Sequence, residues 1–190
     1  MKENIKNQII ESAKIKNKIA EEGVGQIEKA AEIFINCIKT GGKILWCGNG
    51  GSAADAQHMA AELMGGLRSH DRPAIASLAL TTDTSFITAW SNDTDFESIF
   101  SRQIQGLGNE NDVLVAISTS GNSSNIIAAI KQAKYKGLKT ISFTGKTGGK
   151  LNGLSDVTIY IPSENTQRIQ EGHIMIGQII CGLLEDEFLK

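Results

Sequence analysis

Five short runs of this chain, KILWC (43–47), AIASLAL (74–80), DVLVAIS (112–118), KTISFT (139–144) and VTIYI (157–161), are rich in β-branched or aromatic residues and mostly apolar on both alternating faces. A strand with one wetted face alternates apolar and polar residues, so runs filled on both sides belong to a sheet covered on both sides, the usual setting of parallel strands. Between them, SAADAQHMAAELM (52–64), ESIFSRQIQGL (97–107) and NIIAAIKQAKYKG (125–137) have helical periodicity, and the last ends at Gly137 as helix C-termini often do. This alternation predicts an open, doubly wound α/β sheet of five parallel strands flanked by helices. Two helices precede the sheet within residues 1–40, where Ile5, Ile9, Ala13 and Ile19 recur near helical spacing. Residues Thr166 to Phe188 read as one long helix, small or apolar over much of its circumference, and an oligomer interface is one way to cover such a helix. A length of 190 residues suits a single domain spanning 1–190.

The charge balance narrows the function. A net charge of −2 and a pI near 5.9 leave no basic excess for gripping a phosphate backbone, so nucleic acid is not an expected partner. The N-terminal MKENIKNQIIESAKIKNKIAEEG is charged throughout and lacks the apolar centre of a secretory signal. The longest apolar segment, IMIGQIICGLL, is about half the length a bilayer requires and carries Gln178, so no membrane segment is expected. Cys37, Cys47 and Cys181 are odd in number and far apart; they suit neither a disulfide framework nor thiolate-metal spacing, and fit a reducing cytoplasm as small apolar residues.

In such a sheet ligands bind at the carboxyl ends of strands, near the switch in strand order. Two loops there are polar and flexible. CGNGGS (47–52) has Gly48, Gly50 and Gly51, which let the backbone approach a ligand. It also matches the dinucleotide pattern from Gly48 to Ala53, but the acidic residue that reading needs, Asp71, precedes the next strand instead of ending it, so a nicotinamide cofactor is not expected. STSGNSS (118–124) aims backbone N–H groups and a helix dipole at the same crevice, and Ser118, Thr119, Ser120 and Ser123 add hydroxyls. A solvated loop with one capping residue is the plainer alternative. Six such residues beside Gly121 exceed what a cap uses, so the expected ligand is a monophosphate held without Mg²⁺. TGKTGGK (144–150) lacks the first glycine of a P-loop and reads as a turn. His58 and Glu62, four apart on one helix face, suit two metal ligands, a base with its orienting partner, or an exposed pair; they lie one to two turns beyond the glycine loop. His70, in RSHDR, is expected to be solvated.

Taken together, CGNGGSAADAQHMAAEL, ALTTDTS, SNDTDFESIFSRQ, AISTSGNSSNI, FTGKTGGKL and RIQEGHIMIGQIICGLLE agree in order and spacing with one family: from about residue 25 to the end the chain resembles the phosphoheptose isomerases of the sugar isomerase (SIS) superfamily. The resemblance implies the flavodoxin-like SIS fold and a cytoplasmic homotetramer with active sites shared between subunits and segment 1–40 used in assembly. The implied reaction interconverts sedoheptulose 7-phosphate and D-glycero-D-manno-heptose 7-phosphate through an enediol, towards nucleotide-activated heptose. Residue by residue, Ser118, Thr119, Ser120 and Ser123 match the phosphate loop; Asn49, Gly50, Gly51 and Ser52 match the loop lining the sugar, and Asp93 matches another substrate contact. Glu62 matches the catalytic carboxylate, and His58 and Gln170 match residues of the metal or sugar site; with Gln178 they make up the implied Zn²⁺ set.

Two positions depart from the family pattern. Gln178 stands where many members carry a histidine that serves as acid and metal ligand; its amide can donate a hydrogen bond or weakly coordinate Zn²⁺, but cannot titrate near neutral pH. His173 is the nearest histidine, three residues from Gln170 and five from Gln178, off their stripe. Gly66 stands where an arginine is common, with Arg68 its nearest replacement. Relatives that have lost the carboxylate and the histidine bind the bacterial replication initiator. This chain keeps Glu62, His58 and the phosphate loop, so an enzyme is expected, and a non-catalytic sugar-phosphate sensor or initiator-binding protein is the alternative.

Overall fold

The computed structural model describes residues 1–189. Strands β1 (Ile44–Gly48), β2 (Ser77–Ala79), β3 (Val113–Ser118), β4 (Lys139–Thr144) and β5 (Val157–Tyr160) form one parallel sheet in the order β2-β1-β3-β4-β5. The strand order reverses between β1 and β3, whose register runs from Ile44 opposite Val113 to Gly48 opposite Ile117. In open α/β sheets this switch point, at the carboxyl ends of the two strands, is where ligands bind.

Helices α1 (Lys2–Glu22), α2 (Val24–Lys39), α3 (Gly51–Gly65) and α7 (Thr166–Phe188) lie on one side of the sheet; α5 (Ile99–Leu107) and α6 (Ser124–Tyr135) cover the other. Alternation along β1 explains the doubly apolar runs. Ile44 and Trp46 join Phe34, Met59, Leu63 and Ile180 in one core, while Leu45 and Cys47 join Phe100, Ile104 and Ile130 in the other. Full burial of each large apolar side chain contributes about 1.5–3 kcal/mol. Trp46 also satisfies its indole N–H on Ser77 Oγ at 2.9 Å and meets Phe34 edge-on at 5.6 Å.

Two elements differ from the sequence expectation. The 74–80 run yields only the three residues of β2, because this edge strand pairs with β1 alone and leaves Leu78 38% exposed. An additional helix, α4 (Thr84–Asp93), is capped by Asp83, which accepts a hydrogen bond from Phe86 N at 2.9 Å. None of its residues is fully buried; Ile87 and Trp90, one turn apart, pack against the edge of the second core, a stripe too short to stand out in the sequence.

Helix α7 packs against α1, α2 and α3, which covers much of its broad apolar surface and leaves Ile179 and Leu183 exposed. It runs close to α3 where Gly177 faces Met59; a Cβ there would stand 2.6 Å from the Met59 sulfur. His173 turns into the core, its ring 5.7 Å from that of Phe143 and its Nε2–H donating to Thr144 O at 3.2 Å. Burial pushes its pKa down to about 4, keeping the imidazole neutral in a packing role. His70 is exposed. All three thiols are buried, and burial raises their pKa values, that of Cys37 to about 12. Among the described residues, no helix is long and apolar enough to cross a membrane.

Candidate functional site

The polar loop closes on itself at the end of β3. Gly121 takes φ +66°, and its N–H donates to Ser118 O at 3.0 Å. The turn at 145–151 buttresses the loop: Gly145 N donates to Thr119 O and Leu151 N to Gly121 O, each at 3.0 Å, and Lys150 N donates to Asn122 Oδ1 at 3.1 Å. Ser118 Oγ and Ser123 Oγ lie 3.0 Å apart, Ser120 Oγ accepts from Asn122 N at 3.1 Å, and Thr119 is half-buried. Ser123 occupies the N-cap position of α6 but makes no side-chain cap bond. The first-turn N–H groups thus remain available to an anion at the positive end of the helix.

The glycine loop abuts this cradle. Asn49 and Asn125 exchange two amide hydrogen bonds of 2.9 and 2.8 Å, joining the start of α3 to the first turn of α6. Gly50 takes φ +55°, Ser52 is buried, and Gly51 lies against the Gln170 amide, which a Cβ at Gly51 would push aside. Gln170 is therefore seated on the first turn of α3. Sequence reading passed over Asn125, whose signal was its place among the polar residues opening α6.

A second group forms farther along the same two helices. His58 Nε2 lies 2.8 Å from Glu62 Oε1, and Gln178 Nε2 lies 3.2 Å from both. When His58 gives its Nε2–H to Glu62, that nitrogen cannot also accept from the Gln178 amide, so the bond Gln178 makes is to the carboxylate. The Glu62 side chain is 20% exposed and His58 is half exposed. One turn earlier, Asp55 has a buried Oδ2 without a partner; burial raises its pKa to about 6 against the lowering effect of His58. Its spacing of three from His58 was the sequence signal for this neighbour.

His58 and Glu62 come seven and eleven residues after Gly51, about 10 and 16 Å along α3. They stand two to three turns from the glycine loop, farther than the one to two turns expected, because α3 runs back along the sheet away from the strand ends. Gln170 and Gln178, eight residues apart, are separated by about 12 Å along α7. The structure thus gathers His58, Glu62 and Gln178 and keeps Gln170 apart from them. Asp93, exposed at the end of α4, accepts from Asn92 Nδ2 at 2.8 Å. Arg68, the nearest replacement for an arginine at Gly66, pairs with Asp186 at the surface.

The gathered atoms suit a metal ion modestly. Separations of 2.8–3.2 Å approach the roughly 3.4 Å edge of a tetrahedron with bonds of about 2.1 Å. With its amide rotated, Gln178 would complete a set of imidazole, carboxylate and carbonyl donors with one position open. No cluster of three or more His, Cys, Asp or Glu occurs among the described residues, so the set depends on that weak third ligand.

Residues 9–145 match the SIS domain family. The chain is 52% identical over 174 residues to a phosphoheptose isomerase of Campylobacter jejuni, covering 90% of this chain and 93% of that protein. It is 49% identical over 189 residues to one of Clostridium acetobutylicum, covering 98% and 96%. Among solved structures, phosphoheptose isomerase from Neisseria gonorrhoeae superposes with a TM-score of 0.91 at 44% identity, covering 97% of this chain and 98% of that one. The enzyme from Francisella tularensis gives 0.94 at 36% identity, covering 97% of each chain.

Proposed function

The chain belongs to the phosphoheptose isomerases of the SIS domain family, and we propose that it interconverts sedoheptulose 7-phosphate and D-glycero-D-manno-heptose 7-phosphate, as the entry to nucleotide-activated heptose. The observation that carries this reading is the meeting of Glu62 with Gln178 and His58 across two helices. Glu62 takes a proton from C1 of the ketose, the C–H electrons form the C1–C2 double bond of an enediol, and O2 gains a proton. Return of a proton to C2, with loss of the O1 proton, gives the aldose. The Gln178 N–H orients the carboxylate but cannot act as the acid. The loop at 118–124 binds the phosphate and fixes the reacting carbons. We assign Zn²⁺ to His58, Glu62 and the Gln178 carbonyl, the amide then being turned from the orientation that donates to Glu62; the ion would supply Lewis-acid chemistry.

Proton NMR of sedoheptulose 7-phosphate in D₂O tests the reading. Exchange at C1 or C2 with appearance of the aldose supports it, and a rate that falls in chelator and returns with Zn²⁺ supports the metal assignment. Binding without exchange under any metal condition would make the chain a sugar-phosphate sensor instead.

We further propose a cytoplasmic homotetramer in which residues 1–40 take part in assembly and active sites are shared between subunits. Exposed Ile5, Ile9 and Val24 on the N-terminal helices, with Ile179 and Leu183 on α7, support the assembly. The separation of about 10 to 16 Å along α3 between glycine loop and acid–base group supports sharing, because a second copy can bring Glu62 to a phosphate held by the first. Subunits inactivated at Glu62 and subunits inactivated in the phosphate loop should regain activity when assembled together. Mixed oligomers that form and stay inactive would place the whole site within one chain.

A further inference from the structure

Arg72 and Glu185 form an ion pair sealed in the joint between α3, α7 and the loop connecting α3 to β2, with side chains 1% and 0% exposed. Arg72 spends its whole fork there: Nε donates to Glu185 Oε1 at 2.8 Å, Nη1 to Pro73 O at 2.9 Å, and Nη2 to the backbone oxygen of Glu62 at 2.9 Å. Backbone N–H groups complete the carboxylate, Ser69 on Oε1 at 3.2 Å and Arg68 on Oε2 at 3.0 Å. Desolvating two such charges costs several kcal/mol each, and an apolar pair of similar volume would often fill the joint at no loss of stability. What an apolar pair lacks is direction. The Glu62 carbonyl lies in the last turn of α3, and Arg72 grips it from the C-terminal side.

Glu185 lies seven residues beyond Gln178, two turns along the same face of α7. One face of that helix therefore holds Glu62 twice, at its carboxylate through Gln178 and at its carbonyl through Glu185 and Arg72. We propose that Arg72 and Glu185 are positioning residues for the isomerisation, a buried brace that fixes the Glu62 carboxylate relative to Gln178; the proposal rests on Glu62 being the base.

The test compares Arg72→Lys, the double variant Arg72→Met with Glu185→Leu, and Glu62→Gln, reading kcat, KM for sedoheptulose 7-phosphate and thermal midpoint. The double variant leaves no lone buried charge, so it should fold, with kcat down about 10²-fold and KM changed by less than about threefold. Arg72→Lys keeps the charge but cannot make three directed bonds, and should lose kcat in the same way; it decides the matter if the double variant does not fold. Wild-type kcat in either brace variant while Glu62→Gln is inactive would overturn the brace alone. A fully active Glu62→Gln would overturn it together with its premise.

Discussion

Glu62→Gln should lower turnover of sedoheptulose 7-phosphate by about 10³-fold or more, the scale at which a positioned base contributes. The substitution keeps the shape of the side chain and its ability to accept from the Gln178 amide, but removes the group that takes a proton from carbon. Only the backbone oxygen of Glu62 enters the Arg72 brace, so the fold should be unaffected. The phosphate loop abuts the glycine loop, about three turns of α3 from Glu62, so affinity for the sugar phosphate, measured by calorimetry, should stay within a few-fold of wild type. C1–H exchange at the wild-type rate in this variant would remove Glu62 from the chemistry. Loss of binding together with turnover would mean that the carboxylate organises the site.

Gly121→Val should damage the other half of the site. At φ +66° an L-residue costs about 1–2 kcal/mol, and a β-branched one fits worst. The added Cβ would also stand 2.0 Å from Gly148 O and 2.5 Å from its carbonyl carbon, backbone against backbone, which no rotamer change relieves. The loop must part from the 145–151 turn that buttresses it. A loss of about 2–4 kcal/mol in stability and a KM raised at least tenfold are expected. Gly50→Ala is the control: φ is +55° but nothing lies within 4 Å of the new Cβ, so only the backbone strain remains. An unchanged KM in folded Gly121→Val would show that the phosphate binds elsewhere.

What could be read from the sequence depended on short-range rules. Strand runs filled on both faces gave the parallel sheet, because alternate residues must meet helices on opposite sides; β4 spans the residues expected of it, as does α7. The polar loop was legible because its residue types and its place between strand and helix state its chemistry locally. Helix α4 was hidden because only Ile87 and Trp90 pack on the core, and β2 is shorter than its apolar run because pairing on one side sustained only three residues.

The sequence by itself determined the family, the sheet, the anion-binding loop, and that His58 and Glu62 share a helix face. Only the tertiary structure decided which distant groups meet. Gln178 reaches Glu62 across 116 positions, and Asn49 reaches Asn125 across 76. Arg72 and Glu185, two charges in unrelated contexts, become one buried brace. These meetings follow from how closely α3 and α7 pack, which Gly177 against Met59 sets, and from the rotation of α7 that turns His173 inward and Gln178 towards the carboxylate. Separation and rotation of packed helices are collective outcomes of filling the core, and no local spacing along the chain encodes them.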